Sequence, residues 1–259
     1  MKEDGKKTDG WLLAGFVLCG VIFIVTASVL FVYYFRGRQA EKETQKVRDQ
    51  YVAIVGDNRP SAGKSAPKED PAAASAQAFS AMKQLNDDYI CWLRVPDTRI
   101  DNPVVQRDNE YYLNHTFTGE RSSRGTIFLD ESCSGGSTCC ILHGHHMKDG
   151  TMFGDLSGFK KEDFRRTHRE FTVDWGYGEV TYHIFAVMDV DLTQDGFFDY
   201  MEQAKSSDRA AYLDRLLQNS FWHEEMDGAA QDAQLMLLST CDYGTEDQRL
   251  VVCGYRCDD

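Results

Sequence analysis

The hydrophobic pattern of the chain begins with one long apolar run. Residues 11–35 form 25 consecutive uncharged positions, broken only by Thr26 and Ser28. At the rise of an α-helix this run spans about 37 Å, which is enough to cross a hydrocarbon core of about 30 Å. The pattern therefore predicts a membrane-spanning signal-anchor over residues 11–35, preceded by a short tail at residues 1–10.

A buried core helix and a cleaved signal peptide are the two alternatives for this run. A buried core helix of such length normally has a polar face, and this run has none. A cleaved signal peptide has a shorter apolar region of about 7–15 residues that ends in small residues, whereas this run ends in Tyr33, Tyr34 and Phe35. An uncleaved anchor is favoured. Three basic residues precede the run and five follow it closely. This charge distribution favours a cytoplasmic C-terminus, but long domains cross membranes largely regardless of such charge.

A polar segment follows the apolar run. Residues 36–55 are charged and can extend the helix as a stalk, and residues 56–74 are rich in Gly, Pro, Ala, Ser and Lys, which is typical of a flexible linker. Apolar residues then return at helical spacing as Phe79, Met82 and Leu85. We therefore expect a stalk and linker over residues 36–74 and a folded domain over residues 75–259 that opens with a short helix.

The folded domain is predicted to be mainly β. Short apolar runs separated by turn signals predict strands at Ile90–Val95, Asn102–Val105, Gly125–Leu129, Thr138–His143, Glu170–Trp175, Glu179–Asp189, Gln234–Thr240 and Arg249–Tyr255. Short strands in this number indicate a barrel or a sandwich, because closing a sheet removes its exposed edges. One helix interrupts them at residues 208–218, where Leu213, Leu216 and Leu217 lie close to one face after a Ser207-Asp208 start signal.

Composition narrows the range of functions. The chain carries 28 Lys and Arg against 41 Asp and Glu, a net charge of −13. It lacks the clustered basic residues that phosphate contacts require, so nucleic acid is not expected as a partner. Its eight cysteines do not form the framework of a small disulfide-rich fold, because the chain is far too long to need one. Most are expected to be reduced and structural, with the adjacent Cys139 and Cys140 on opposite faces of a strand.

The last predicted strand pair contains a candidate nucleophile. An apolar strand ends at Cys241, and Arg249 opens the next strand eight residues later. If the strands pair as a hairpin, the guanidinium can favour the thiolate and donate hydrogen bonds to an oxyanion. The alternative is a buried structural cysteine and a surface arginine paired with Asp242 or Asp247.

A second candidate lies where the strand at residues 138–143 runs into a polar tip. His143, His145 and His146 follow one another there, and an imidazole at a strand tip can serve as a general acid and base. A zinc site is the competing interpretation, with His143, His145 and Cys133, Cys139 or Cys140 as ligands. The cysteine spacings do not match the usual paired knuckles, which disfavours zinc.

Taken together, these motifs resemble the sortases. Gly144-His145 followed about a hundred residues later by Thr240-Cys241 and then Arg249 matches the order of His, Cys and Arg in that family. Five further segments resemble the class B sortases in particular. They are Asn86–Ile90 with Trp92, Ile100–Gln106, Asp108-Asn109 with Tyr112-Leu113, Gly125–Asp130, and His145–Met147 leading to Met152-Phe153. The resemblance covers about residues 80–256.

The resemblance assigns roles to individual residues. It implies that Cys241 is the nucleophile, His145 the acid and base, and Arg249 the oxyanion and substrate contact, while Asn109, Leu113 and Ser239 line a peptide groove. It also implies an eight-stranded sortase-type β-barrel with N-terminal helices and one long helix inserted between late strands. Three residues depart from the family pattern: Leu237 replaces Thr, Cys91 replaces Gly, and His143 replaces a Tyr beside the groove, which makes His143 a further substrate-binding candidate.

The activity implied by the resemblance is cysteine transpeptidation outside the cell. The substrate is a surface protein with a C-terminal sorting signal like Asn-Pro-x-Thr, which passes through a thioester to an amino group of peptidoglycan or its lipid-linked precursor. No metal or organic cofactor is needed, because acyl transfer to a thiol requires only a nucleophile, an acid/base and an oxyanion donor. Pilin polymerisation and an inactive membrane-tethered peptide-binding module are the alternatives. A peptidoglycan cross-linking transpeptidase is disfavoured because its Gly-Cys-x-Arg context is missing.

Overall fold

A computed structural model describes residues 4–56, 70–194, 199–205, 208–226, 228, 230–241 and 247–257. The chain divides into one compact unit that ends at Lys42 and another that begins at Glu43. Helix α1, Asp4–Val55, contains the predicted apolar run. Within residues 11–35 every described side chain is exposed, and the mean hydropathy of the most apolar window is 2.7. By length and composition, this helix is able to cross a membrane.

The second unit is built on a closed β-barrel. Its strands are β1 Tyr89–Arg94, β2 Asp101–Val105, β3 Ile127–Leu129, β4 Cys139–Gly144, β5 Glu170–Asp174, β6 Glu179–Asp191, β7 Trp222–His223, β8 Leu235–Cys241 and β9 Gln248–Arg256. The order β5-β1-β2-β3-β4-β8-β9-β6 closes through pairing of β5 with β6, and β7 extends from β6. All eight predicted strands are confirmed, with ends that differ by at most two residues. Of the two predicted architectures, the structure is the barrel.

One further helix precedes the first strand, and the other helices occupy connections between strands. They are α2 Pro71–Leu85, the 3₁₀ helices Tyr111–Leu113 and Gly154–Lys160, α3 Glu162–Thr167, α4 Tyr200–Ala204 and α5 Arg209–Asn219. The helix predicted at residues 208–218 is confirmed as α5, and it is inserted between β6 and β8. The Asp208 side chain caps it by accepting a hydrogen bond from the Ala211 N–H, and Leu213 and Leu216 lie on its buried face.

Two parts of the segment expected to be stalk and linker are helical. Residues 43–55 belong to the barrel unit, where Tyr51 stacks on Trp92 at 4.0 Å between ring centroids and donates a hydrogen bond to Asp174 over 2.6 Å. Burial, followed by the nearby Asp174 carboxylate, raises the pKa of Tyr51, so its hydroxyl stays a donor. Helix α2 begins at Pro71, capped by Asp70. The rest of the expected linker, residues 57–69, lies outside the described residues.

Two cores lie on either side of β4 and β8. Cys140 and Leu142 face the barrel interior, whereas Cys139 and Ile141 face a second core that includes Leu213 of α5, so the prediction of opposite faces for the adjacent cysteines is confirmed. The seven cysteines whose side chains are described are free thiols. Burial raises the pKa of Cys139 and of Cys140 to about 12. These thiols are therefore protonated and poor nucleophiles at neutral pH.

Candidate active site

Three adjacent strands bring the predicted catalytic residues to one end of the barrel. Strand β8 pairs with β9 so that Cys241 is the Cα partner of Arg249. On its other side β8 runs parallel to β4, where Gly144 is the partner of Thr240. His145 directly follows Gly144, so it comes next to the end of β8. The hairpin expected from the spacing of Cys241 and Arg249 is confirmed. The structure describes the backbone of Cys241, and the loop 242–246 that follows lies outside the described residues.

A backbone carbonyl fixes the orientation of His145. Its Nε2 atom lies 2.7 Å from the carbonyl oxygen of Leu113. A carbonyl only accepts hydrogen bonds, so Nε2 must carry a proton. In the neutral ring Nδ1 is then the nitrogen that can accept a proton. The family resemblance implied that Leu113 lines the groove. In the structure, its main-chain oxygen also contacts the imidazole of His145.

Glycines on both sides of this contact allow the close packing. A Cβ atom at Gly144 would lie 2.8 Å from the ring of Phe153. The backbone N–H of Phe153 donates a hydrogen bond to the His145 carbonyl over 3.0 Å. Gly125 has a φ of +59°, and a Cβ atom there would overlap the carbonyl of Tyr112 and lie 2.9 Å from that of Leu113. The loop that carries Leu113 can therefore approach His145 only because residue 125 lacks a side chain.

The predicted site residues surround one cavity of about 220 Å³. Those with described side chains that line it are Asn109, Leu113, His143, His145, Ser239 and Arg249. A depression of this kind, with a few converging polar groups, is typical of a binding site. The structure thus brings together residues from four separate segments of the sequence.

Helix α4 supplies lining residues that sequence reasoning missed. Asp199, Tyr200 and Met201 border the cavity. The Tyr200 hydroxyl lies 2.6 Å from the Ser239 hydroxyl oxygen and is buried, which ties α4 to β8. A helix of five residues is too short for a periodic hydrophobic pattern. The only sequence signal was Asp199, whose side chain caps the helix by accepting from the Met201 N–H.

A buried carboxylate beneath the cavity was also missed. Asp130 is 2% exposed, and its Oδ2 atom accepts hydrogen bonds from Asn109 over 2.9 Å and from His143 over 3.2 Å. Burial alone would raise the pKa of Asp130, but hydrogen bonds from His143 and Ser132 outweigh burial, and the net pKa is lowered. Asp130 is therefore ionised and orders the two side chains bound to it.

The zinc interpretation is not supported by the placement of its cysteines. The Cys140 thiol contacts the Ser134 carbonyl at 3.2 Å, the Cys139 thiol lies 3.7 Å from the Tyr212 hydroxyl, and the Cys133 thiol contacts the Cys139 carbonyl at 3.6 Å. Across the described part of the chain, no three His, Cys, Asp or Glu side chains converge as a metal site. His143 instead pairs with Asp130.

Fold and site together define a closed β-barrel in which a cysteine, a histidine and an arginine lie at the adjoining ends of three neighbouring strands. The Sortase domain family matches residues 93–257. The chain belongs to the sortase family of cysteine transpeptidases.

Relatives within the family are class B enzymes. Sortase B of Listeria monocytogenes is 34% identical over 164 residues, which cover 62% of this chain and 65% of that protein, so the match spans slightly less than two thirds of the relative. A mutant form of Clostridium perfringens sortase B has a TM-score of 0.70 at 25% identity, covering 84% of this chain and 98% of that one. A Bacillus anthracis protein described as similar to sortase B has a TM-score of 0.68 at 26% identity, covering 85% and 98% respectively.

Proposed function

We propose that this protein is a membrane-anchored, class B-type sortase. It cleaves a C-terminal sorting signal resembling Asn-Pro-x-Thr after the Thr and transfers the new carboxyl group to an amino group of peptidoglycan or its lipid-linked precursor. The observation that carries the proposal is the strand register: Cys241 opposite Arg249, with His145 directly after the residue that pairs with Thr240.

In the first step, the Cys241 thiolate attacks the carbonyl carbon of the Thr and forms a carbon–sulfur bond. Arg249 donates hydrogen bonds to the resulting oxyanion. His145 holds on Nδ1 the proton that the Cys241 thiol gave up when it became a thiolate. The peptide carbon–nitrogen bond then breaks, and His145 gives this proton to the departing nitrogen. Nδ1 is assigned this role because Nε2 is bound to the Leu113 carbonyl. The product is a thioester on Cys241 and a free amine.

In the second step, the acceptor amine attacks the thioester carbon while His145 takes its proton. The carbon–sulfur bond breaks, the thiolate is regenerated, and a new amide joins substrate to acceptor. The proposed substrate contacts are Asn109, Leu113, His143 and Ser239, which line the same cavity as His145 and Arg249. No step requires a metal or an organic cofactor.

The apolar helix supports an anchored location. Its large side chains are exposed, for example Trp11 at 83% and Phe16 at 75%, and exposing so much apolar surface to water is unfavourable. We assign residues 11–35 to the bilayer as a single pass. The barrel is placed outside the cell, where surface proteins bearing sorting signals and the peptidoglycan acceptor are found.

The proposal is tested by trapping the acyl-enzyme. The full chain in detergent micelles is mixed with a peptide containing Asn-Pro-Ala-Thr-Gly, with and without hydroxylamine, and the products are analysed by mass spectrometry. We expect a thioester adduct on Cys241 that ends at the Thr, and its release as a hydroxamate. Binding without cleavage would support the peptide-binding module instead. Transfer to a lysine of a protein rather than to a peptidoglycan stem would support pilin polymerisation.

Arg249→Lys is expected to lower kcat/KM by about 10²–10³-fold, the usual cost of removing one oxyanion donor. An ammonium keeps the positive charge but cannot reproduce the planar fork of a guanidinium. The measurement is steady-state cleavage of the signal peptide. Arg256→Lys, on the same strand but outside the cavity, is the matched control. Turnover near wild type for Arg249→Lys would contradict the oxyanion role.

Gly125→Ala is expected to lower kcat by about tenfold to 10²-fold, because small misplacements of a catalytic group are costly. The added methyl would displace the Leu113 carbonyl that holds His145. Gly136→Ala is the control, since nothing lies within 4 Å of its Cβ position. Kinetics are measured together with thermal unfolding. Full activity in a folded Gly125→Ala variant would show that the Leu113 contact does not orient His145.

A further inference from the structure

The chain that follows His145 forms a tight loop that returns to the histidine. This loop, residues 146–153, connects β4 to the second 3₁₀ helix. His146 pairs with Met152 in an isolated β-bridge, and the Phe153 N–H donates a hydrogen bond to the His145 carbonyl over 3.0 Å. His145 therefore lies at the base of the loop, and the conformation of the loop sets the position of its main chain.

The loop holds a backbone conformation that needs support from its surroundings. Met152 has a φ of +51°, a region that residues with a side chain rarely adopt and that persists only where neighbouring contacts fix it. The Met152 side chain is buried in the barrel core, which fixes one end of the loop. The tip of the loop, around Gly150 with a φ of +82°, must be held by other contacts.

The Arg124 side chain supplies contacts at this tip. Its Nη1 donates a hydrogen bond to the Thr151 hydroxyl oxygen over 2.8 Å, and its Nη2 lies 2.7 Å from Oδ2 of Asp149. The Thr151 hydroxyl in turn donates to Oδ1 of Asp149 over 2.6 Å. Guanidinium, hydroxyl and carboxylate thus close a ring of hydrogen bonds across the loop. Only 15% of the Arg124 side chain is exposed, so water competes little for these contacts.

Charge strengthens the ring. Burial alone would raise the pKa of Asp149, but hydrogen bonds from Arg124 and Thr151 outweigh burial and lower this pKa to about 2. Asp149 is therefore ionised at neutral pH, and its contact with Arg124 is a charge-assisted hydrogen bond. Arg99 also reaches the loop, but its Nη1 donates to the main-chain carbonyl of Asp149 over 2.7 Å.

The segment that carries Arg124 also supports the imidazole from the other side. The next residue, Gly125, packs so closely that a Cβ atom there would lie 2.9 Å from the Leu113 carbonyl oxygen. That oxygen lies 2.7 Å from Nε2 of His145. The backbone of residues 124 and 125 therefore supports the partner of the imidazole, while the Arg124 side chain holds the loop that fixes the histidine main chain.

We propose that Arg124 is a positioning residue for His145. By holding the 146–153 loop through Asp149 and Thr151, it keeps the imidazole at the end of β8, where Nδ1 can exchange a proton with the reacting groups. Arg124 is not among the described residues that line the cavity, so it acts through the loop. This inference rests on the proposed role of His145 as acid and base and adds the residue that keeps it in place.

The first test is Arg124→Gln, which removes the charge and breaks the ring. We expect kcat to fall by about tenfold to 10²-fold, because a small misplacement of a catalytic group is costly. KM should change by less than about threefold, because the groove is not altered. The full chain in detergent micelles is assayed by steady-state cleavage of the Asn-Pro-Ala-Thr-Gly peptide. Arg121→Gln makes the same change at an exposed position three residues earlier and is the matched control.

Partial rescue and non-additivity identify the ring as the cause. Arg124→Lys keeps the charge but not the planar fork, so its kcat should fall between those of the wild type and Arg124→Gln. Asp149→Asn should also lower kcat. The two changes Arg124→Gln and Asp149→Asn together should cost little more than the larger single loss, because both break the same ring.

A His145→Gln background separates positioning from a merely structural role. With no imidazole left to position, Arg124→Gln should lower the remaining rate by less than about threefold. A general structural defect would instead lower it by the same factor as in the wild type. Thermal unfolding is measured for every variant. If Arg124→Gln does not fold, Arg124→Lys and Thr151→Val, which removes only the hydroxyl, are compared in the two backgrounds instead.

The outcomes for the inference and for the proposed function are distinct. A folded Arg124→Gln variant with the kcat of the wild type would overturn the inference. An equal fractional loss with and without His145 would also overturn it, and both results would leave the proposed function intact. Failure of the wild type to cleave the peptide would contradict the proposed function, and the inference would fail with it.

Discussion

Cys241→Ala is expected to lower peptide cleavage by about 10⁴–10⁶-fold, to the level left when a nucleophile is removed from a catalytic unit. The four buried thiols cannot replace it: burial raises the pKa of Cys91, Cys139, Cys140 and Cys253, so these cysteines remain protonated. Cys241 differs in its position at the end of β8, opposite Arg249. The measurement is hydroxylamine-stimulated cleavage of the signal peptide, followed by a search for the thioester adduct.

Cys19→Ala is the matched control for this loss. It removes a thiol that is exposed on α1 without altering the barrel, and it should keep full activity. Peptide binding by Cys241→Ala, measured separately, should persist, because the groove is unchanged. Residual cleavage by Cys241→Ala within tenfold of the wild type would mean that another group is the nucleophile.

His145→Gln is expected to lower kcat by about 10²–10⁴-fold, the usual contribution of a general acid and base. The glutamine amide can still donate to the Leu113 carbonyl, as Nε2 of His145 does over 2.7 Å, but it cannot take up or release a proton. The loss should therefore appear in kcat more than in KM.

His146→Gln makes the same chemical change one residue later and serves as the control. His146 is not among the residues that line the cavity, so this variant should retain most of its activity. The reverse result, an inactive His146→Gln and an active His145→Gln, would show that the wrong imidazole was assigned.

The strands were predictable because each depends on a local pattern, whereas the choice of a barrel over a sandwich came from the family resemblance. Each strand of four or more residues carries its own apolar signal. The spacing of Cys241 and Arg249 was compatible with the hairpin in which they are partners, and the family resemblance favoured it over the alternative. Strand β7 was missed because it has two residues and pairs only at the edge of β6. Helix α4 was missed because five residues do not complete a hydrophobic repeat.

The contacts that shape the candidate site were harder to predict. His145 is held by the main-chain oxygen of Leu113, and every residue has such an oxygen, so residue type gives no sign of it. Asp130 lies 13 residues from His143 and 21 from Asn109. Their meeting depends on the tertiary arrangement of β3, β4 and the loop before the first 3₁₀ helix. The family resemblance placed Asn109 and His143 near the groove but did not show that one carboxylate binds both.

The packing of residues 43–55 on the barrel limits how far the protein can be shortened for crystallisation or screening. A version beginning at residue 75, the boundary suggested by sequence, would uncover Trp92, which is 2% exposed in the intact chain, and remove the hydroxyl that Tyr51 donates to Asp174. Leaving a buried carboxylate short of a partner costs about 1–3 kcal/mol. A fragment that begins at Glu43 lacks the apolar run 11–35 and keeps the contacts of Tyr51 with Trp92 and Asp174. A soluble fragment should therefore start there.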